Sequence, residues 1–275
     1  MDDPLKSARD GVALVGEILK AAGDNPNVRE AGANLGQTAL TITKTINNAL
    51  LPLAAVNFAF DKARRYFFER FQDDLSQKAS VIPVAEIVEP KASIAGPALQ
   101  GLAFAHEEPN LKDMYLSLLA TAMDGRVAPE AHPAFVEIIK QLDSEEALLL
   151  RGLLNISGWA PIADVQLSEV GQVGWRVIAK HLLDLHNPTD GTSVETPRVA
   201  AMVDNLVRLG LVEVDYGKKL IITDVDAYAW VEKRPEYVSL RSQLENERNK
   251  LSFIPGVIGR TALGLQFAKA AGLLQ

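Results

Sequence analysis

RLGLVEVDYGKKLIIT, residues 208–223, reads as a helix end, a glycine stop, an apolar strand, a turn at 215–218 and a second apolar strand. Gly210 supplies the left-handed stop that a change from helix to strand needs. Upstream, Pro197 suits a helix's first turn, and Val199, Met202, Val203 and Leu206 follow at helical spacing. Before that, residues 175–185 place Val177, Ile178, His181, Leu182 and Leu185 on one face of a further helix. Helix, helix and two-stranded ribbon is the order of a winged helix.

Residues 161–167 alternate apolar and polar side chains as a short strand does. Residues 252–258 suit another strand, which Pro255 would keep at a sheet edge. Residues 261–274 read as a closing helix with Leu263, Phe267, Ala270 and Leu274 inward.

Toward the N-terminus the periods are helical. Leu5, Ala8, Val12, Val15, Leu19 and Ala22 form a narrow seam, ended by Gly23-Asp24-Asn25-Pro26. A second seam runs Leu35, Ala39, Ile42, Ile46, Ala49, Leu53, with Pro52 kinking or restarting it. Two such helices joined by a short turn pack as an antiparallel hairpin. The stripe continues through Val56, Phe60, Ala63, Phe67 and Phe71 to about Leu75, with Phe58 and Phe68 placing apolar rings on further faces. Residues 80–97 read as an extended connector punctuated by Pro83 and Pro90, with helix resuming near Pro97. Asn110 is a helix cap, Pro133 opens the next helix over Phe135, Ile138, Ile139 and Leu142, and Asp143 with Glu146 has capping-box spacing.

The expected class is therefore mainly α with a small β component. An N-terminal helical hairpin or bundle (1–80) precedes a central helical unit (81–158) and a C-terminal winged-helix-like α+β module with a closing helix (159–275).

Composition bounds the chemistry. The chain has 275 residues, enough for more than one core, and 48% are hydrophobic. It has no cysteine, which removes disulfides, thiolate catalysis and cysteine-ligated zinc and suits a cytoplasmic location. MDDPLKSARDG carries acids where a secretory signal has basic residues, so no signal peptide is expected. Residues 40–60 are apolar but interrupted by Lys44, Asn47, Asn48, Pro52 and Asn57, too polar for a spanning helix. The net charge of −7 opposes nonspecific attraction to nucleic acid.

No phosphate loop, nucleophile elbow or paired-histidine zinc motif occurs. His181 and His186, five apart on one expected helix, lie roughly 140° apart around it, too far to share a metal. His181 with Asp184 shares a face, which a hydrogen bond also explains, while His106 and His132 suit loop and capping roles. No catalytic residue, cofactor or metal is expected. For nucleic acid, the candidate contacts are Arg198, Arg208, Tyr216, Lys218 and Lys219, on the helix after Pro197 and at the ribbon turn. Asp204 and Asn205 occupy positions where a groove-reading helix carries cations, so the module is as well suited to a protein partner.

Four stretches resemble the Abi-alpha (abortive infection alpha) family of prokaryotic proteins: IVEPKASIAGPALQGLAFAHEEPNLKDMYLSLLATAMD (87–124), HPAFVEIIKQLDSEEALLL (132–150), NLVRLGLVEV (205–214) and GRTALGLQFAKAAG (259–272). The resemblance spans most of residues 80–275; HPAFVEIIKQL with LLATAMD upstream is its most specific part, and RLGL is common to many winged helices. The family pattern favours a cysteine near the terminus, where this chain reads AKAAG. The resemblance implies bacterial phage resistance by abortive infection and brings no catalytic residues. The expectation is a non-enzymatic intracellular defence protein acting through a protein partner or self-association. A winged-helix DNA-binding regulator and a membrane-perturbing effector are the alternatives.

Overall fold

The computed structural model describes residues 57–187, 189–195, 197–221 and 226–274, with side chains from 61 onward. The two N-terminal seams, Pro52 and most of 40–60 lie outside the described residues. The chain forms two compact units, one of residues up to 148 together with those from 266, the other of residues 149–265. About half of the fold is helical, and one small antiparallel sheet accompanies it.

The first unit is helical. It contains α1 (Asn57–Glu69), α2 (Phe71–Ala79), α3 (Ala92–Ala105), α4 (Pro109–Met123), α5 (Pro133–Ile139) and the start of α6 (Ser144–Leu154). Residues on both sides of position 81 belong to it. Ala63, Phe67, Phe71 and Leu75 are buried, as the stripe requires, but Phe68 is exposed with the Arg64 guanidinium 5.6 Å above its ring. A cation on the ring face lets that phenylalanine stay in water.

Two expectations shift here. Helix α3 begins at Ala92, five residues before Pro97, because the carbonyl of Lys91 collects the amides of Ile94 and Ala95 at 2.9 Å each. Pro97 then sits inside the helix, withholding only the one N–H that Ser93 would have received. Pro109, with its preset φ, opens α4, so Asn110 lies within the first turn and donates instead to the carbonyl of Ser144 at 3.3 Å.

Two other caps form as read. His132 Nδ1 accepts from the amide of Ala134 at 3.1 Å, ahead of Pro133. At α6, Asp143 Oδ1 accepts from the Glu146 amide at 2.8 Å while Glu146 Oε2 accepts from the Asp143 amide at 2.9 Å. This reciprocal box satisfies two amides that a bare helix start leaves unbonded. Asp143→Ala should destabilise the helical unit by about 1 kcal/mol in urea denaturation; no shift in midpoint would show the box to be idle.

The second unit is built on a sheet. Its elements are β1 (Trp159–Glu169), β2 (Arg176–Leu182), α7 (Val199–Arg208), β3 (Val212–Asp215), α8 (Pro235–Leu244) and β4 (Asn249–Arg260). The strand order is β2-β1-β4-β3. The β1–β4 register is unbroken from Trp159↔Gly259 to Glu169↔Asn249. Ala163, Val165, Leu167, Leu182 and Leu251 pack against Tyr228, Val231 and Tyr237.

The helix expected over 175–185 is strand β2. Its pairing with β1 slips twice, between Ala163 and Val165 and between Val165 and Gln166. Such bulges break strict alternation, so neighbours Ile178 and Ala179 both pack toward the core and imitate a helical face. The order around Gly210 is thus strand, strand, helix, strand. Gly210 takes φ 71°, and the amide of Leu211 reaches back to the carbonyl of Leu206 at 3.0 Å, closing α7 as read. β3 pairs with residues 257–260 of β4, and residues 218–221 form no strand; the end of the expected second ribbon strand lies outside the described residues.

Pro255 stands in β4 opposite Ala163, beyond the reach of β3. Its missing N–H therefore costs no rung on the β3 side. The closing helix is α9 (Ala262–Ala270), straddling residue 265, where the chain passes from one unit to the other. Phe267 and Ala270 are buried as expected; Leu263 is exposed, and Leu273 rather than Leu274 is the buried leucine at its end. No helix among the described residues is long and apolar enough to cross a membrane.

Candidate functional site

A buried polar cluster joins four elements of the sheet unit. Asp164 lies in β1 between the two paired residues where the β1–β2 ladder slips. There its carboxylate replaces a backbone acceptor: Oδ1 accepts the amide of His181 at 2.9 Å. His181 adopts φ 58°, a left-handed conformation that side-chain-bearing residues rarely take. Its strain is supported by contacts on the amide and both ring nitrogens. Nδ1 lies 2.9 Å from the Tyr216 hydroxyl, Nε2 lies 3.2 Å from Asp204 Oδ1 on α7, and Tyr216 donates its proton to Asp164.

Tyr216 follows β3 and lies over β4 at Gly256. A Cβ there would sit 2.5 Å from the ring, so only glycine leaves room. Burial, and then the Asp164 carboxylate it bonds, push the Tyr216 hydroxyl well above the usual tyrosine range. The result is a continuous chain of hydrogen bonds from exposed Asp204 through His181 and Tyr216 to buried Asp164. It can relay a proton, and it fastens the ends of edge strands β2 and β3 to α7. Tyr216→Phe removes the hydroxyl that serves two buried partners. The expected cost is about 1–3 kcal/mol in thermal unfolding of the sheet unit; an unchanged midpoint would show the cluster to be dispensable for stability.

The candidate nucleic-acid contacts are dispersed. Arg198 and Arg208 stand at opposite ends of α7, about 15 Å apart by helical rise. Arg208 bonds Asn205 Oδ1 at 2.6 and 3.1 Å. Lys218 pairs with Asp215 at 3.0 Å and lies 5.1 Å above the ring of Trp159, while Lys219 is exposed beside it. Tyr216 points its hydroxyl into the cluster rather than outward.

The remaining histidines take local roles. His106 Nδ1 meets the carbonyl of Ala103 at 3.0 Å and its ring stacks on Tyr66. Asp184 pairs with His186 at 2.7 Å, not with His181, because β2 is a strand and ends between them. No group of three His, Asp or Glu among the described residues could hold a metal ion.

Sequence reasoning missed Asp164 and Asp204 as members of a site. The available signal was a carboxylate in the middle of the apolar strand PIADVQL, which must find donors when buried.

A second feature is the β1–β2 turn. Val170, Val173 and Trp175 project from it, Val173 fully exposed and Trp175 at 58%. From 170 to 183 the chain carries no carboxylate, only the exposed cations Arg176 and Lys180 beside His181.

The family model described as Abortive infection alpha matches residues 63–271. No curated protein and no solved structure matches the chain.

Proposed function

Because the chain belongs to the abortive infection alpha family, we propose that it is a bacterial antiphage protein that acts inside the cell by binding another protein, without catalysis of its own. The family supports the defence role. The binding role rests on one observation: three large apolar side chains projecting from the β1–β2 turn, beside two exposed cations. Contiguous exposed apolar groups rimmed by charge are characteristic of protein contacts. The polar cluster supports a fastening role, since its hydrogen bonds are spent on one another and on the backbone of β2.

The test is a plating assay in a phage-sensitive bacterium expressing the chain. Plaque formation should fall, and cultures infected at high multiplicity should collapse without releasing phage. Val173→Asp with Trp175→Asp should abolish protection while leaving the circular dichroism and melting temperature intact. Lys218→Ala with Lys219→Ala should protect as well as wild type. Lost protection in the lysine variant, accompanied by lost duplex-DNA binding, would replace this reading with the DNA-regulator one.

A further inference from the structure

We infer that the outer edge of β2 accepts an extended acidic segment of a partner protein as an added strand. This rests on the protein-binding reading above and names the partner's chemistry. β2 is the terminal strand of the sheet, paired on one side only with β1. Among the described residues, no backbone hydrogen bond is made to the other side of residues 176–180. An open row of N–H and C=O groups is a template for another strand.

Charge selects what docks there. In a chain of net charge −7, residues 170–183 hold no carboxylate, and Arg176 and Lys180 are both exposed along the edge strand. They stand at the two ends of the open stretch 176–180, where they flank any segment that pairs with it. A second copy is the wrong partner. Antiparallel pairing of β2 with itself about Ile178 sets Arg176 opposite Lys180, and like charges directly opposite are destabilising. Other registers bring no carboxylate either, since β2 has none. Cations on an edge thus block self-association and favour an acidic strand. A bilayer surface suits the row poorly, because lipid offers no partners for backbone amides and carbonyls. DNA offers phosphates to the amides but no matching donors along its backbone for the carbonyls. Trp175 and Val173 stand next to the start of β2, where they can cover the apolar side chains of an incoming segment.

The test uses the full chain. A displayed library of random peptides of about twelve residues is selected on it and counter-selected on R176E/K180E. The selected peptides should carry acids at alternate positions. The best one, resynthesised, should bind at least about tenfold more weakly to R176E/K180E and regain affinity there when its acids become lysines. Methylating its alternate backbone nitrogens should abolish binding, and hydrogen exchange at residues 176–180 should slow when the unmethylated peptide is bound.

A methylated peptide that binds equally well overturns strand addition. So does selection of peptides without acids, dimerisation through β2, or flotation with phosphatidylglycerol vesicles without peptide binding. Plating with R176E/K180E separates the two readings. Full protection by that variant, folded and peptide-deficient, overturns this site as the defence surface and leaves defence by binding intact. No protection by the wild-type chain sinks the defence reading, while the peptide measurements still decide the edge.

Discussion

Phe67→Ala should lower the stability of the helical unit by roughly 3–5 kcal/mol, the usual cost of emptying a buried aromatic site. Phe67 is 7% exposed, and its ring packs 5.2 Å from Phe71 and 5.5 Å from Tyr66. Alanine leaves a hole between two elements, because α1 and α2 both depend on that ring. The neighbouring Phe68→Ala should change stability by no more than about 0.5 kcal/mol, since Phe68 is 57% exposed. The pair makes a sharp comparison in urea, followed by circular dichroism. The three tryptophans, Trp159, Trp175 and Trp230, all lie in the sheet unit, so their fluorescence reports that unit separately. Liposome flotation completes the test. An unchanged melting temperature with lost vesicle binding in Phe67→Ala would mean that the ring serves a membrane and not a core.

Arg234→Met should lower the stability of the sheet unit by roughly 3 kcal/mol. The guanidinium is 2% exposed, and each of its three nitrogens donates a hydrogen bond. It donates to the carbonyls of Leu185 and Val194 at 2.8 and 2.7 Å and forks onto Glu236 at 2.7 and 3.1 Å. Methionine fills similar volume but leaves two carbonyls and a carboxylate without their donor. The loss stays below that of a fully buried pair because Glu236 is 29% exposed and water reaches it. Lysine should not rescue, since a point charge cannot serve both carbonyls and the carboxylate in one plane. A loosened 183–195 loop should become a substrate for a glutamate-specific protease at Glu195. Wild-type resistance to cleavage in the variant would disprove the anchoring role.

Local chemistry was readable in the sequence, and distant pairing was not. The Gly210 stop, the Asp143–Glu146 box and the strand over PIADVQL each depend on residues within a few positions of one another, and all three formed, although Ile162 to Val165 are buried in succession rather than alternately. β3 instead pairs with residues some 45 positions later, which no periodicity announces. β2 reads as helix in the sequence because two slips in its ladder disguise the period of two. The polar cluster was hidden for a related reason. Asp164, His181, Asp204 and Tyr216 come from four segments, and each alone has an ordinary local explanation. Arg234 likewise looks like one more surface cation until the loop it holds is in place.

The order of synthesis gives the pairing of β1 with β4 a temporal meaning. β1 leaves the ribosome with its inner edge bare and meets its partner only when residues 249–259 follow, 80 to 100 positions later. At roughly 5–20 residues per second that wait is on the order of ten seconds. The helical unit waits as well, because Phe267 must arrive to pack edge-on against Phe135, and the Ala270 carbonyl to receive the hydroxyl of Thr121 at 3.0 Å. A chain interrupted before these residues holds two unfinished cores and exposes apolar surface that proteases recognise. The sheet core closes once β4 has been made and the helical core only after residue 270, so aborted fragments should be cleared rather than accumulate.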